Sequence, residues 1–228
     1  LLLLSASCGG EDPGDSSSHG ARQPDAPELI GDYLGQRPPG DTAEIFAPGL
    51  VTTGTYTRDV AMTPDGSELY FGVLLGPVAA IIQLRRGPDG VWGEPERLGP
   101  EVNSTSNQFN AYIAPDESYL ILCTGDREDT LGGTDYYVVF RSADDRWSEP
   151  VNMGPMVNTE LAGEFSPYVS PDGRHFFFMS TRPGARDRIP ATLTWDYIQG
   201  YRLMPEIGNA GIYWVDASFI RELRPPGF

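Results

Sequence analysis

The chain has 228 residues and a formal net charge of −16, from 16 Lys+Arg against 32 Asp+Glu, and every basic residue is Arg. A balance this acidic argues against nucleic acid as a partner and against electrostatic docking on an anionic membrane, since both need clustered cations. Gly (27) and Pro (21) together break long helices and suit a turn-rich β protein.

The first residues, Leu1-Leu2-Leu3-Leu4-Ser5-Ala6-Ser7-Cys8, read as an apolar run, small residues and then a cysteine. This is the pattern of a signal-peptide end running into a lipobox, with Cys8 as the lipidated residue over positions 1–8. Ser5 stands where an aliphatic residue is usual, and Leu4 sits one place too early. An ordinary secretory signal with an incidental Cys8 is the plainer reading. Positions 9–40 read as a polar tether, too poor in apolar residues to offset the entropy of ordering. The other cysteine, Cys123, sits in the apolar run Tyr119 to Cys123 and reads as a small buried hydrophobe. No stretch after Cys8 has the length of a membrane span.

The folded region, 41–228, is expected to consist of repeats. Three segments align: Arg58 to Phe71, Phe109 to Leu122 and Phe165 to Phe178. Their Pro-Asp pairs begin at Pro64, Pro115 and Pro171, spacings of 51 and 56. Each segment reads as strand, tight turn, strand. Pro presets φ, Asp bonds the backbone ahead and Gly supplies positive φ. Glu117 replaces that Gly in the second copy, so its turn has to accept a side chain. The second strands are apolar at consecutive positions, as strands buried on both faces are.

A second block repeats at an offset of 55: Ala80 to Arg86 with Asp135 to Arg141, Trp92-Gly93-Glu94-Pro95 with Trp147-Ser148-Glu149-Pro150, and Leu98 to Ser104 with Met153 to Thr159. One unit is then two central strands, a third, and an outer edge strand carrying Trp and Glu-Pro. Four antiparallel strands with that edge outermost make a propeller blade. The expectation is an all-β propeller-type array of about three four-stranded blades, near 53–98, 99–153 and 154–224. The third unit differs, because its third strand, Gly211 to Asp216, follows a long insertion. Thr194 to Gln199 within it suits a short helix capped by Thr192 or Thr194.

The motif Ser170-Pro171-Asp172-Gly173, an apolar strand and Ser180-Thr181-Arg182, together with the closing Ile212 to Ala217, resembles the PD40 (WD40-like) repeats of TolB-type β-propellers in bacterial envelope proteins. The resemblance covers about residues 33–228. It implies a non-enzymatic binding or scaffold module of the cell envelope that engages protein or cell-wall components. With Cys8 and the tether, the expectation is a module held to the membrane only through its lipid, facing the periplasm or exterior. Closed propellers have typically 4–8 blades, and three are countable here. Either blades are lost, or two copies assemble as a homodimer, or the array stays open with a capped edge. Glu44 to Thr52 resembles an outer strand and could complete the last blade.

Signatures of chemistry are sparse. His19 and His175 form no metal-ligand pair, no Cys-x-x-Cys or Gly-x-Ser-x-Gly occurs, and no cofactor or metal is expected. The acidic loops Asp126 to Asp129 and Asp144-Asp145 lack calcium-loop spacing and read as solvated. The alternative to a binding module is a hydrolase acting on glycan or peptide through carboxylates in the propeller mouth. For a ligand, the loops after each second strand are expected to share one face. Arg127, Arg182, Trp195 and Tyr197 form its polar-aromatic patch; alternatively, Trp195 and Tyr197 cap the side of the third blade.

Overall fold

The computed structural model describes residues 29–103, 107–182, 192–201 and 210–228. Cys8 and most of the tether lie outside them. The described residues build three antiparallel sheets. The first holds β1 (Tyr56–Met62), β2 (Glu68–Leu75), β3 (Val78–Arg85) and β4 (Glu96–Arg97). The second holds β5 (Phe109–Ile113), β6 (Tyr119–Thr124), β7 (Asp135–Phe140) and β8 (Val151–Asn152). The third holds β9 (Glu164–Val169), β10 (His175–Ser180) and, beyond α1 (Trp195–Tyr201), β11 (Gly211–Asp216). A last helix, α2 (Ser218–Glu222), closes the described chain. In the first two sheets the strands lie in chain order, as propeller blades require.

The Pro-Asp turns fold as expected. Asp65 Oδ1 accepts the Ser67 N–H at 2.9 Å, and Asp116 and Asp172 repeat the bond with Ser118 and Arg174. Gly66 and Gly173 have φ of 68° and 70°, and Glu117 holds the same left-handed conformation at 59°.

Two details of the blade differ from expectation. The outer strands are only two residues long and begin after Glu-Pro, so the tryptophans precede them. Trp92 and Trp147 bridge back to Arg86 and Arg141, and Trp92 is buried. The indole is too large an apolar group to leave on a solvated edge. Second, the third sheet has three strands among the described residues, and Glu44 to Thr52 does not supply a fourth. Ala47 and Val51 pack instead with Leu34, Leu69, Phe71, Leu84 and Trp92 against the first sheet. Leu29 to Gly31 joins the same side: Ile30 bridges Val91, and the Trp92 indole donates to the Gly31 carbonyl at 2.7 Å.

Two further cores join the blades. Tyr70, Ile81, Leu120, Leu122, Tyr137 and Val139 pack the first sheet on the second. Ile121, Tyr136, Val138, Phe176 and Phe178, with Phe219 and Ile220 of α2, pack the second on the third. Short parallel bridges repeat at each junction, Ala79 with Asn107 and Thr134 with Gly163. The far face of the third sheet carries Tyr168, Phe177, Met179, Ile212 and Trp214, which stand beside one another in the strand register. Trp214 is stacked on Phe177 yet 65% exposed.

Candidate functional site: an axial groove between three bulged strands

The innermost strand of each sheet departs from regular pairing at one repeat position. In β1, Asp59 and Val60 lie opposite Phe71 alone, because Arg58 pairs Gly72 and Ala61 pairs Tyr70. In β5, Asn110 and Ala111 lie opposite Leu122 in the same way. In β9, Ser166 and Pro167 lie opposite Phe178. Each is a β-bulge with two residues against one. Its first residue has positive φ in all three sheets: 60° at Asp59, 53° at Asn110 and 55° at Ser166. Glycine usually takes that place, and Asp and Asn are the side chains that best tolerate it.

These bulges meet. Asp59, Asn110 and Ser166 line one cavity of about 360 Å³, with Val60, Met62, Ala111, Pro167 and Tyr168 among its walls. The Asn110 N–H donates to Asp59 Oδ2 at 3.3 Å, and Arg58 donates to the same oxygen. Arg58 itself lies over the Phe109 ring and is not part of the lining. Asn110 is 3% exposed, and its Oδ1 has no hydrogen-bond partner. Tyr112 gives its hydroxyl proton to the Val169 carbonyl at 3.0 Å, and burial pushes its pKa up to about 12. Tyr168 stands edge-on to Tyr112 and is 49% exposed.

A second cavity, about 250 Å³, lies between the turns of the second and third blades and α2. Its carboxylates, Asp116 and Asp172, are already engaged by the Ser118 and Ser170 hydroxyls of their own turns.

The residues anticipated for a ligand patch are placed as follows. Thr194 Oγ1 accepts the Tyr197 N–H at 3.2 Å, capping α1 as expected. Trp195 is 68% exposed and Tyr197 is half-buried. Arg182 is held in the fold: it donates to Ser180 Oγ at 2.9 Å and to the Val157 carbonyl, and stacks over Phe178 and Tyr213. Arg127 lies over the Tyr137 ring, 3.9 Å from Asp129. His175 rests against Trp214, and Cys123 is fully buried, which raises its thiol pKa well above the usual range. Glu164 is buried, with its Oε1 bonded by Ser180 and Thr159, and burial raises its pKa.

Among the described residues no cluster of His, Cys, Asp and Glu could hold a metal, and no helix is long and apolar enough to cross a membrane. The groove went unnoticed in the sequence, although its signal was there: a small polar residue five places before each Pro-Asp pair.

Three packed antiparallel sheets, inner strands converging on one cavity, are the blades of an incomplete β-propeller. No known family profile matches the chain, and no curated protein does. Solved structures similar to it include TolB from Agrobacterium tumefaciens, at 18% identity and TM-score 0.40 over 57% of this chain and 40% of that one. TolB from Acinetobacter baumannii matches at 13% identity and TM-score 0.42, over 73% of this chain and 31% of that one. A variant of NanB sialidase from Streptococcus pneumoniae matches at 11% identity and TM-score 0.39, over 77% of this chain and 25% of that one. The chain therefore spans less than half the length of each, and its fold assignment rests on the strand pairing described above.

Proposed function

We propose that the chain is a non-enzymatic binding module of the bacterial cell envelope, lipid-anchored at Cys8, whose axial groove seats a group of a protein or cell-wall partner. The observation that carries this reading is the convergence of three equivalent bulges on one cavity. A bulge with a non-glycine residue at positive φ costs backbone energy in each blade, and strain of this kind collects where strands aim side chains at a ligand. The lining holds one carboxylate, Asp59, whereas paired-carboxylate hydrolysis needs two. This supports binding over the hydrolase alternative.

The groove is tested by a panel of glycans and peptides against the unaltered chain and Val60→Trp, which crowds the cavity from an exposed strand position. Every ligand found should be lost in the variant; a ligand retained by Val60→Trp sits elsewhere. For the anchor, palmitate labelling should vanish in Cys8→Ala, and release of the unaltered chain without lipid would remove it.

A homodimer is proposed in a restricted form. The side of the first sheet is already covered by Leu34, Ala47 and Val51, so head-to-tail ring closure is obstructed. The exposed face at Phe177, Ile212 and Trp214 continues the blade-on-blade packing, and a second copy would meet it isologously. Sedimentation should then show a dimer that Trp214→Arg dissociates; a monomer in both rules it out.

A further inference from the structure

The lining of the groove specifies the chemistry of its occupant, an inference that rests on the groove being the binding site. The side chains set at the three bulges are a carboxylate, an amide and a hydroxyl: Asp59, Asn110 and Ser166. No cationic side chain lines the cavity. Asn110 Oδ1 is an acceptor left in the interior without a donor, and a buried carbonyl without a partner is unfavourable. Asp59 receives both of its bonds on Oδ2, and among the described residues no bond falls on Oδ1. The remaining walls are largely apolar, with Val60, Met62, Pro167 and the ring of Tyr168 among them.

We infer that the groove binds a primary alkylammonium group, as carried by a lysine side chain, a chain N-terminus or a free amine. An ammonium brings several N–H donors on one compact charge and no acceptor, which suits oxygens without donors. A neutral hydroxyl would satisfy Asn110 but gain less from Asp59, because hydrogen bonds to an ionised partner are about twice as strong. An anion would meet Asp59, and the neighbouring Arg58 guanidinium is already committed to Asp59 Oδ2 and lies outside the lining. The alkyl stem lies along Val60 and Met62, and Tyr168 offers a π face to the cation. The net charge of −16 steers cations toward the molecule.

The test uses the full chain and nuclear magnetic resonance titration. The probes are Nα-acetyl-lysine N-methylamide, its Nε-acetylated form, cadaverine, a peptide with a free N-terminus and no lysine, and a neutral sugar. The lysine amide should saturate, and its Nε-acetylated form should bind at least about tenfold more weakly. Asn110→Gly suits the left-handed backbone while removing Oδ1, and Asp59→Asn keeps shape while removing charge. Each should weaken the lysine amide at least about tenfold with an unchanged fold spectrum. The cadaverine and peptide arms tell a free amine from a chain terminus. Four results overturn the inference: no amine bound at millimolar concentration, equal binding of the acetylated form, no effect of Asn110→Gly, or a preference for the neutral sugar. If the sugar binds and Val60→Trp abolishes it, the groove stands and only the ammonium falls. If amines bind equally well to Val60→Trp, the groove itself is not the site.

Discussion

Arg141, at the end of the second sheet, grips Glu68 of the first with two hydrogen bonds of 3.1 and 2.6 Å, across 73 positions of sequence. Glu68 also accepts the Tyr70 hydroxyl at 2.5 Å and lies 3.3 Å from Arg85. Asp145 ties both arginines together from the second blade at 2.5 Å. The pair is mostly sheltered, so each ion has given up water for its partner. Removing one member leaves the other buried and uncompensated.

Arg141→Ala should therefore destabilise the chain by about 2 kcal/mol, below the fully buried range because Arg85 stays beside Glu68. Arg141→Lys should recover little, since an ammonium cannot make the two-pronged contact. Denaturant unfolding checks both; full rescue by Lys would show that charge alone matters.

Asn158 acts as a strand that is not there. Its Oδ1 accepts the Tyr136 N–H at 2.8 Å and its Nδ2 donates to the Tyr136 carbonyl at 3.0 Å. Asn103 does the same for Ile81 in the first blade. Asn158→Ala orphans the buried Tyr136 N–H, while the Tyr136 carbonyl keeps the Met153 N–H at 3.0 Å, a loss of about 1–3 kcal/mol. Asn158→Asp keeps the acceptor but turns the donor into a carboxylate facing a carbonyl, and should be no better. Urea melts of both variants decide this.

Glu117 occupies a turn position that the other blades give to glycine, at φ 59°. Its carboxyl pKa is raised by burial first, then by Asp65 and Glu68. Backbone strain and charge both oppose the residue, and its contact with Arg141 is a loose 3.7 Å. Glu117→Gly should raise stability by about 0.5–1 kcal/mol, a melting shift of about 2–4 °C per kcal/mol. A fall in melting temperature would mean that the Arg141 contact outweighs both.

The carboxyl groups predict the acid profile. Glu117 and Glu164 have folded pKa values above the usual 4.5. Each costs stability at neutral pH, and that cost disappears as pH falls through the folded value. Asp65 is held below its usual 3.8, chiefly by the Ser67 N–H. Burial alone would raise Asp145, yet bonds from Arg85 and Arg141 outweigh it and lower it. The contributions of these two are complete above the unfolded value and are lost as pH falls through the folded one. Self-repulsion at −16 also eases on acidification. Thermal melts should peak near about pH 5 and drop steeply below about pH 4. A steady decline from pH 7 to pH 5 would contradict this.

Local chemistry made much of the fold legible. Pro-Asp turns, unbroken apolar strands and β11 each announce themselves in a few adjacent residues. What stayed hidden depends on pairing. The bulges at Asp59, Asn110 and Ser166 exist only relative to Phe71, Leu122 and Phe178. Sequence spacing gives their recurrence but not their conformation. Glu44 to Thr52 has the composition of an outer strand, and only packing shows that Ala47 and Val51 cover the first sheet. Arg182 was legible as a cation near the loop face, but its stacking on Phe178 and Tyr213 was not.

The measurement closest to the central claim sets the groove against the loop-end patch. The lysine amide is titrated against Val60→Trp, and in parallel against Trp195→Ala with Tyr197→Ala. Binding should disappear in the first and remain within about twofold in the second, with melting temperatures of both close to the unaltered chain. Binding that survives Val60→Trp and vanishes with the α1 aromatics would place the site on the insertion and contradict the axial groove.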